Sequence, residues 1–191
     1  ISKVDNVSIS AALTSGKLEI AQNATIENLA HSGSSRIDIN SDKVLTFSNA
    51  FEILDNKSME LIGSGGRTID LPDALKLSGT LKISSTGYTL RNGTLGLSGG
   101  LLDVVENTNI GSTIALLDNG SISVGSTIEI YPLKTLAYSG AVVDIGTSKL
   151  NIQGGGSFIN SNSSALSLNN ANSHLVLDNV SVGFVTASAA S

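Results

Sequence analysis

The sequence predicts an all-β chain folded as a β-solenoid, with about 20–22 residues per coil and roughly nine coils. Three observations carry that prediction. Apolar-x-apolar pairs recur at roughly 6–8-residue spacing along most of the chain. Hydrophobic residues reach 40% while aromatics are 4% and charged residues 14%, with no Cys or Trp. Gly, Asn, Asp and Ser fill the gaps between the pairs, and Ser, Asn, Thr and Gly together make up roughly 40% of the 191 residues.

Period-2 alternation places both members of a pair on one face of a strand. In chain order the first pairs are Ile69/Leu71, Leu75/Leu77, Leu81/Ile83, Tyr88/Leu90, Leu95/Leu97 and Leu102/Val104. A looser stretch carries Ile114/Leu116, Ile122/Val124, Ile128/Ile130, Val143/Ile145 and Leu150/Ile152. The last are Leu166/Leu168, Leu175/Leu177 and Val180/Val182. Strands of about 3–5 residues are too short and too closely spaced for a sandwich or a meander barrel, whose strands recur every 8–12 residues or so. A solenoid needs only two inward side chains per strand, because each strand pairs with its copies above and below. Turns such as Ser78-Gly79, Arg91-Asn92-Gly93 and Asp118-Asn119-Gly120 supply left-handed or self-capping backbone.

A longer similarity links Leu54-Asp55-Asn56-Lys57-Ser58, Leu117-Asp118-Asn119-Gly120-Ser121 and Leu177-Asp178-Asn179-Val180-Ser181, with a fainter copy at Val4–Ile9. It reads as Leu closing an inward strand, Asp-Asn making the corner and Ser opening the next strand, with stacked Asn side chains forming ladders along the axis. The first 40 or so residues fit the rhythm less well. Ala24–His31 is read as a short capping helix in preference to an irregular coil. The expected organisation is irregular or capping coils over 1–43, a regular solenoid over 44–185 and a tail over 186–191.

The phrases Gly79-Thr80-Leu81-x-Ile83, Gly93-Thr94-Leu95-x-Leu97 and Gly120-Ser121-Ile122-x-Val124 resemble those of right-handed parallel β-helix proteins, the pectate-lyase-like superfold. Within it they are similar to autotransporter passengers, other bacterial surface adhesins and tailspike-type proteins. The resemblance covers most of Val44–Phe184 and is one of pattern, with no invariant motif. It implies a single-stranded right-handed parallel β-helix, roughly 43 Å long for nine coils at a strand spacing near 4.8 Å.

Composition excludes several functions. Eleven Lys and Arg against 16 Asp and Glu, a net charge of −5 and no basic run argue against nucleic-acid binding. No apolar stretch reaches the roughly 20 residues of a membrane-spanning helix. Without Cys there is neither a disulfide nor a thiolate metal site. The chain starts at Ile1 without a signal-peptide pattern and is expected to be a mature product or a piece of something longer.

The best local chemical cluster is Arg67-Thr68-Ile69-Asp70-Leu71-Pro72-Asp73, where Asp70 should face outward with Arg67 and Asp73 nearby. Such carboxylates serve acid–base cleavage of polysaccharides, but a solvated strand face explains them as well. His31 and His174 lie far apart and make no metal site. Gly63-Ser64-Gly65-Gly66 and Gly154-Gly155-Gly156 read as tight loops, since neither opens a helix. The scattered Thr80, Thr86, Thr89 and Thr94 do not form the flat array of an ice-binding face. Tyr131 and Tyr138 could form a sugar platform or pack a loop on the rod. Seven Asn-x-Ser/Thr triplets begin at Asn6, Asn23, Asn56, Asn92, Asn119, Asn162 and Asn179; corner chemistry accounts for the three within the Leu-Asp-Asn repeat.

The expected function is therefore that of a non-catalytic structural or adhesive module of an extracellular, cell-surface or virion appendage protein. Its expected partners are further copies of itself, in an oligomer or filament, or a cell-surface glycan or protein, with no nucleic acid, membrane insertion, cofactor, metal or catalytic residue. A polysaccharide lyase or hydrolase and a glycan-binding β-helix are the alternatives.

Overall fold

The computed structural model describes residues 7–116, 125–138, 143–144, 149–160, 166–167, 174–183 and 185–186. Two long strands come first, β1 (Val7–Ile20) and β2 (Ala24–Ile39), followed by β3 (Lys43–Phe47) and β4 (Phe51–Ile53). Three-strand coils then repeat: β5 (Ser58–Gly63), β6 (Arg67–Asp70) and β7 (Leu75–Leu77), then β8 (Thr80–Ile83), β9 (Tyr88–Arg91) and β10 (Thr94–Leu97). The next coil holds β11 (Leu101–Val104), β12 (Thr108–Ile110) and β13 (Thr113–Leu116), and the one after it β14 (Gly125–Ile130), β15 (Thr135–Tyr138) and β16 (Val143–Asp144). The last strands are β17 (Lys149–Gln153), β18 (Ser157–Asn160), β19 (Leu166–Ser167), β20 (His174–Asp178), β21 (Ser181–Val182) and β22 (Val185–Thr186).

Every third strand stacks, so the coil has three faces. On the first, β5, β8, β11, β14, β17 and β20 follow the second half of β2; on the second, β3, β6, β9, β12, β15, β18 and β21 follow its first half. The third is a seven-stranded sheet from β4 to β22. The strand pairings are parallel, and the chain is an all-β parallel solenoid with no helix among the described residues.

The core is a set of aliphatic columns. Met59, Leu81, Leu102, Ile128 and Ile152 occupy one register position on successive rungs of the first face, and Leu61, Ile83, Val104 and Ile130 occupy the next inward one. All nine are buried. Each such burial removes a side chain from water at a gain of roughly 1.5–3 kcal/mol, which offsets the entropy of ordering a short strand. Left-handed residues turn the first face into the second: Asp42, Gly65, Gly87, Leu133, Gly155 and Asn179 all have φ between 50° and 84°. Gly, Asn and Asp tolerate that backbone; Leu133, which is 96% exposed, is the exception.

Several expectations need correction. The seven strands of the third face mark about six turns, not roughly nine coils. A turn is often longer than 20–22 residues, because Leu101 pairs with Thr127 and Ala115 with Asp144. Ala24–His31 is strand, not a capping helix; it forms the first half of β2 and pairs with both β1 and β3. The Leu-Asp-Asn repeats do not mark one corner of the coil. Residues 54–58 join the third face to the first, whereas 177–181 join the first to the second. Asn56 and Asn179 are left-handed as corner chemistry requires. Leu54, one residue past inward Ile53, is 41% exposed and points outward, whereas Leu177 stacks in register on inward Ile152 and is 45% exposed on the last described rung of that face. The 117–121 copy lies outside the described residues. An axial ladder does form elsewhere: Asn49 Nδ2 donates to Asn28 Oδ1 (2.9 Å), and Asn28 Nδ2 to Ser10 Oγ (3.3 Å).

Leu102→Ala, which opens a gap in an inward column, is expected to cost about 2–5 kcal/mol in urea unfolding. Lys76→Ala, which removes an exposed ion pair with Glu52, should cost less than about 1 kcal/mol.

Candidate functional site

Rung stacking makes neighbours of residues 20 or so apart in sequence. On the outer wall of the first face, Lys17, Arg36, Glu60, Lys82, Asp103, Glu129, Gln153 and Asp178 share one register position. The column is basic at its start and acidic at its end. Arg36 Nε donates to Glu60 Oε2 (2.7 Å), and Lys82 Nζ lies 4.0 Å from Glu60 Oε1. The Ser84 hydroxyl, donating to Oε1 at 2.7 Å, is the main cause that holds the Glu60 carboxyl below its ordinary range, and Arg36 adds to it.

Asp103 and Glu129 sit on adjacent rungs and make no ion pair among the described residues. Asp103 is only 9% exposed, and its Oδ1 is buried with no hydrogen-bond partner. Burial pushes its carboxyl above the ordinary range; Lys82 opposes the rise, and Glu129 and Glu60 add to it. Beside this pair a cleft of about 390 Å³ is lined by Glu129 and Gln153, by Thr127 and Leu101, and by corner residues including Asp55 and Asn56. Rows of outward carboxylate, amide and hydroxyl groups over a rigid sheet can bind a polyhydroxylated or charged ligand along the axis.

The cluster expected around Asp70 comes apart. Asp70 does face outward, but Arg67 does not accompany it: two residues before inward Ile69, it points into the coil and is 3% exposed. Its guanidinium lies 4.7 Å from the centre of the Tyr88 ring, with Nε and Nη1 buried and unpartnered. The Tyr88 hydroxyl donates to the Ile62 carbonyl (2.6 Å), and burial pushes it up to about 12. Asp70 instead accepts from Arg91 Nε (2.6 Å) and Asn92 Nδ2 (2.8 Å), partners supplied by the next rung. Asp73 is exposed.

The histidines are not brought together. His31, 5% exposed, lies 3.0 Å through Nε2 from Ser35 Oγ, and burial lowers its pKa; His174 is exposed on β20, six strand pairings away. Tyr131 is 39% exposed, as expected of an outward residue, while the Tyr138 side chain falls outside the described set. Among the triplet asparagines, Asn6, Asn119 and Asn162 also lie outside it. No group of three or more His, Asp or Glu among the described residues is placed to hold a metal ion. The Asp103–Glu129 pair and the Lys17–Arg36 pair escaped sequence reasoning. Each follows or precedes an inward aliphatic residue by one position, a signal visible only once the unequal coils are aligned.

Comparison of the chain with protein-family models, with curated proteins and with solved structures finds no match.

A carboxyl whose folded pKa is raised binds its proton more tightly in the folded state. Stability then falls as pH rises from the ordinary value of 3.8 through the raised one, and stays low above it. Asp103→Asn should accordingly be more stable than the parent chain near neutral pH, with the advantage gone below about pH 3.8. Urea unfolding of both chains across that range checks it.

Proposed function

We propose that the chain is a non-catalytic structural or adhesive module of an extracellular, cell-surface or virion appendage protein, of the pectate-lyase-like β-helix type and similar to adhesins and autotransporter passengers. Its partners are further copies, in fibres or oligomers, or a surface glycan or protein. One observation carries this reading: ion pairs on the outer wall join successive rungs. Lys17 bonds Asp38 (2.7 Å), Lys76 contacts Glu52 (3.1 Å), Arg91 bonds Asp70 (2.6 Å) and Lys134 bonds Glu106 (2.6 Å), each pair spanning neighbouring coils. Exposed pairs of this kind contribute roughly 0–1 kcal/mol each. Their consequence is a wall of neutralised, hydrated groups around a dry core, suited to carrying a surface without acting on it.

A second reading is favoured by Asp103. An acid whose pKa is raised by burial, one rung from Glu129, is the kind of arrangement by which a polysaccharide-cleaving enzyme separates a proton donor from a base or nucleophile. The rung spacing of about 4.8 Å is near the roughly 5 Å carboxyl separation of retaining glycosidases. On this reading the chemistry sits at Asp103 and Glu129, not at Asp70 and Asp73. An exposed Tyr131 supports binding of a sugar ring without turnover.

Incubation with a panel of acidic and neutral polysaccharides separates these readings. The structural reading expects no new reducing or unsaturated ends, together with concentration-dependent growth in sedimentation or retention on a glycan or cell surface. Turnover that disappears in Asp103→Asn would overturn it.

A further inference from the structure

At the basic end of the first face, a cleft of about 460 Å³ is lined by Gly16, Lys17, Ser34, Ser35, Arg36 and Ser58. Two glycines make room for it. The pairing of β1 with β2 runs from Leu13↔His31 to Ser15↔Ser34, so β2 carries one extra residue there, a β-bulge. Gly33 lies in that bulge, where a Cβ would collide with the Thr14 carbonyl. Gly16 has φ of 103°, which other residues rarely adopt. Beyond the bulge Ser34 is exposed and Ser35 buried.

The groups that converge on the cleft are hydrogen-bond donors. Lys17 and Arg36 are direct register partners, a like-charge juxtaposition that is unfavourable on a sheet unless something acidic lies between them. Their compensation comes from outside the cleft lining: Lys17 Nζ reaches Asp38 Oδ2 (2.7 Å) and Glu19 Oε2 (3.6 Å), and Arg36 reaches Glu60 through Nε (2.7 Å). A guanidinium has five N–H donors, so one Nε bond leaves most of the fork for a ligand. Ser35, the register partner of inward Met59, is buried and its hydroxyl is engaged with His31 Nε2 (3.0 Å), so the hydroxyls left to the cleft are those of Ser34 and Ser58. No carboxylate among the described residues lines the cleft.

We propose that this cleft binds an oxyanion, a sulfate, phosphate or carboxylate group, held by the Arg36 and Lys17 cations and the Ser34 and Ser58 hydroxyls. The site goes beyond the structural reading and stands whether or not the rod is adhesive. Two sources present the same chemistry: the free ion, and the group carried on an acidic saccharide.

Isothermal titration at fixed ionic strength, with sodium sulfate, phosphate, acetate and a sulfated hexasaccharide in turn, tests the proposal. One-site saturable binding of at least one probe is expected. Arg36→Ala should weaken it by about tenfold or more, the loss of roughly one charge-assisted hydrogen bond. Ser34→Ala, at an exposed position that leaves the His31–Ser35 contact intact, should weaken it by about threefold. Lys43→Ala, a charge removed outside the cleft, should change it by less than about twofold. Tighter binding of the hexasaccharide than of sulfate assigns a glycan source, and equal or weaker binding assigns the free ion. No saturable binding of any probe, or a loss in Lys43→Ala as large as in Arg36→Ala, overturns the site.

Discussion

Each rung of this chain has to set its inward side chains on those of the rung before it, because a coil this narrow has no other core. That constraint selects branched aliphatics of similar size, mostly Leu and Ile. The columns through Leu81, Leu102 and Ile128 are the result. It also limits what a corner can be. The chain must reverse direction within a few residues and return in register, so left-handed Asn, Asp and Gly recur between faces. Tyr88 and Arg67 show how the rule bends: a large inward pair is accommodated by stacking ring on guanidinium across adjacent rungs.

The same register that builds the core sorts the outer wall. Residues far apart in the chain become columns, and the first face acquires a basic end at Lys17 and Arg36 and an acidic stretch at Asp103 and Glu129. Neither is a local motif. At the basic end a bulge opens the wall beside two cations; further along, burial raises the pKa of one carboxyl beside another. Between the two ends, Glu52, Glu60 and Asp70 are paired with cations on the next coil.

Strand positions were legible in the sequence wherever alternation was clean. Leu75/Leu77, Leu81/Ile83, Leu95/Leu97 and Leu102/Val104 are buried as their spacing predicts. Alternation fails as a guide where a bulge interrupts it. In β2 the pairing steps from Ile26 to Asn28 opposite Ile9 and Ser10, and the extra Glu27 gives Ile26, Leu29 and Ala30 a spacing that mimics a helix. Arg67 was misplaced because a charged residue is read as outward by default, whereas period 2 from Ile69 points it inward. The Leu-Asp-Asn repeats misled for a related reason: they report turn chemistry, and a three-faced coil uses the same turn at different corners. The two charge pairs of the first face were hidden because coils of unequal length keep register partners at no single sequence interval.

The claim on which the rest depends is that outward residues such as Val44, Thr68, Thr89, Asn109, Ala137 and Ile159 form one axial column. Spin labels at Val44→Cys and Ile159→Cys, five strand spacings apart, measure it directly. A narrow distance distribution near 24 Å is predicted, shortening by about 5 Å when the second label moves to Ala137→Cys. A broad distribution centred beyond about 35 Å, or a distance that does not step with the rung, would contradict the stacked solenoid.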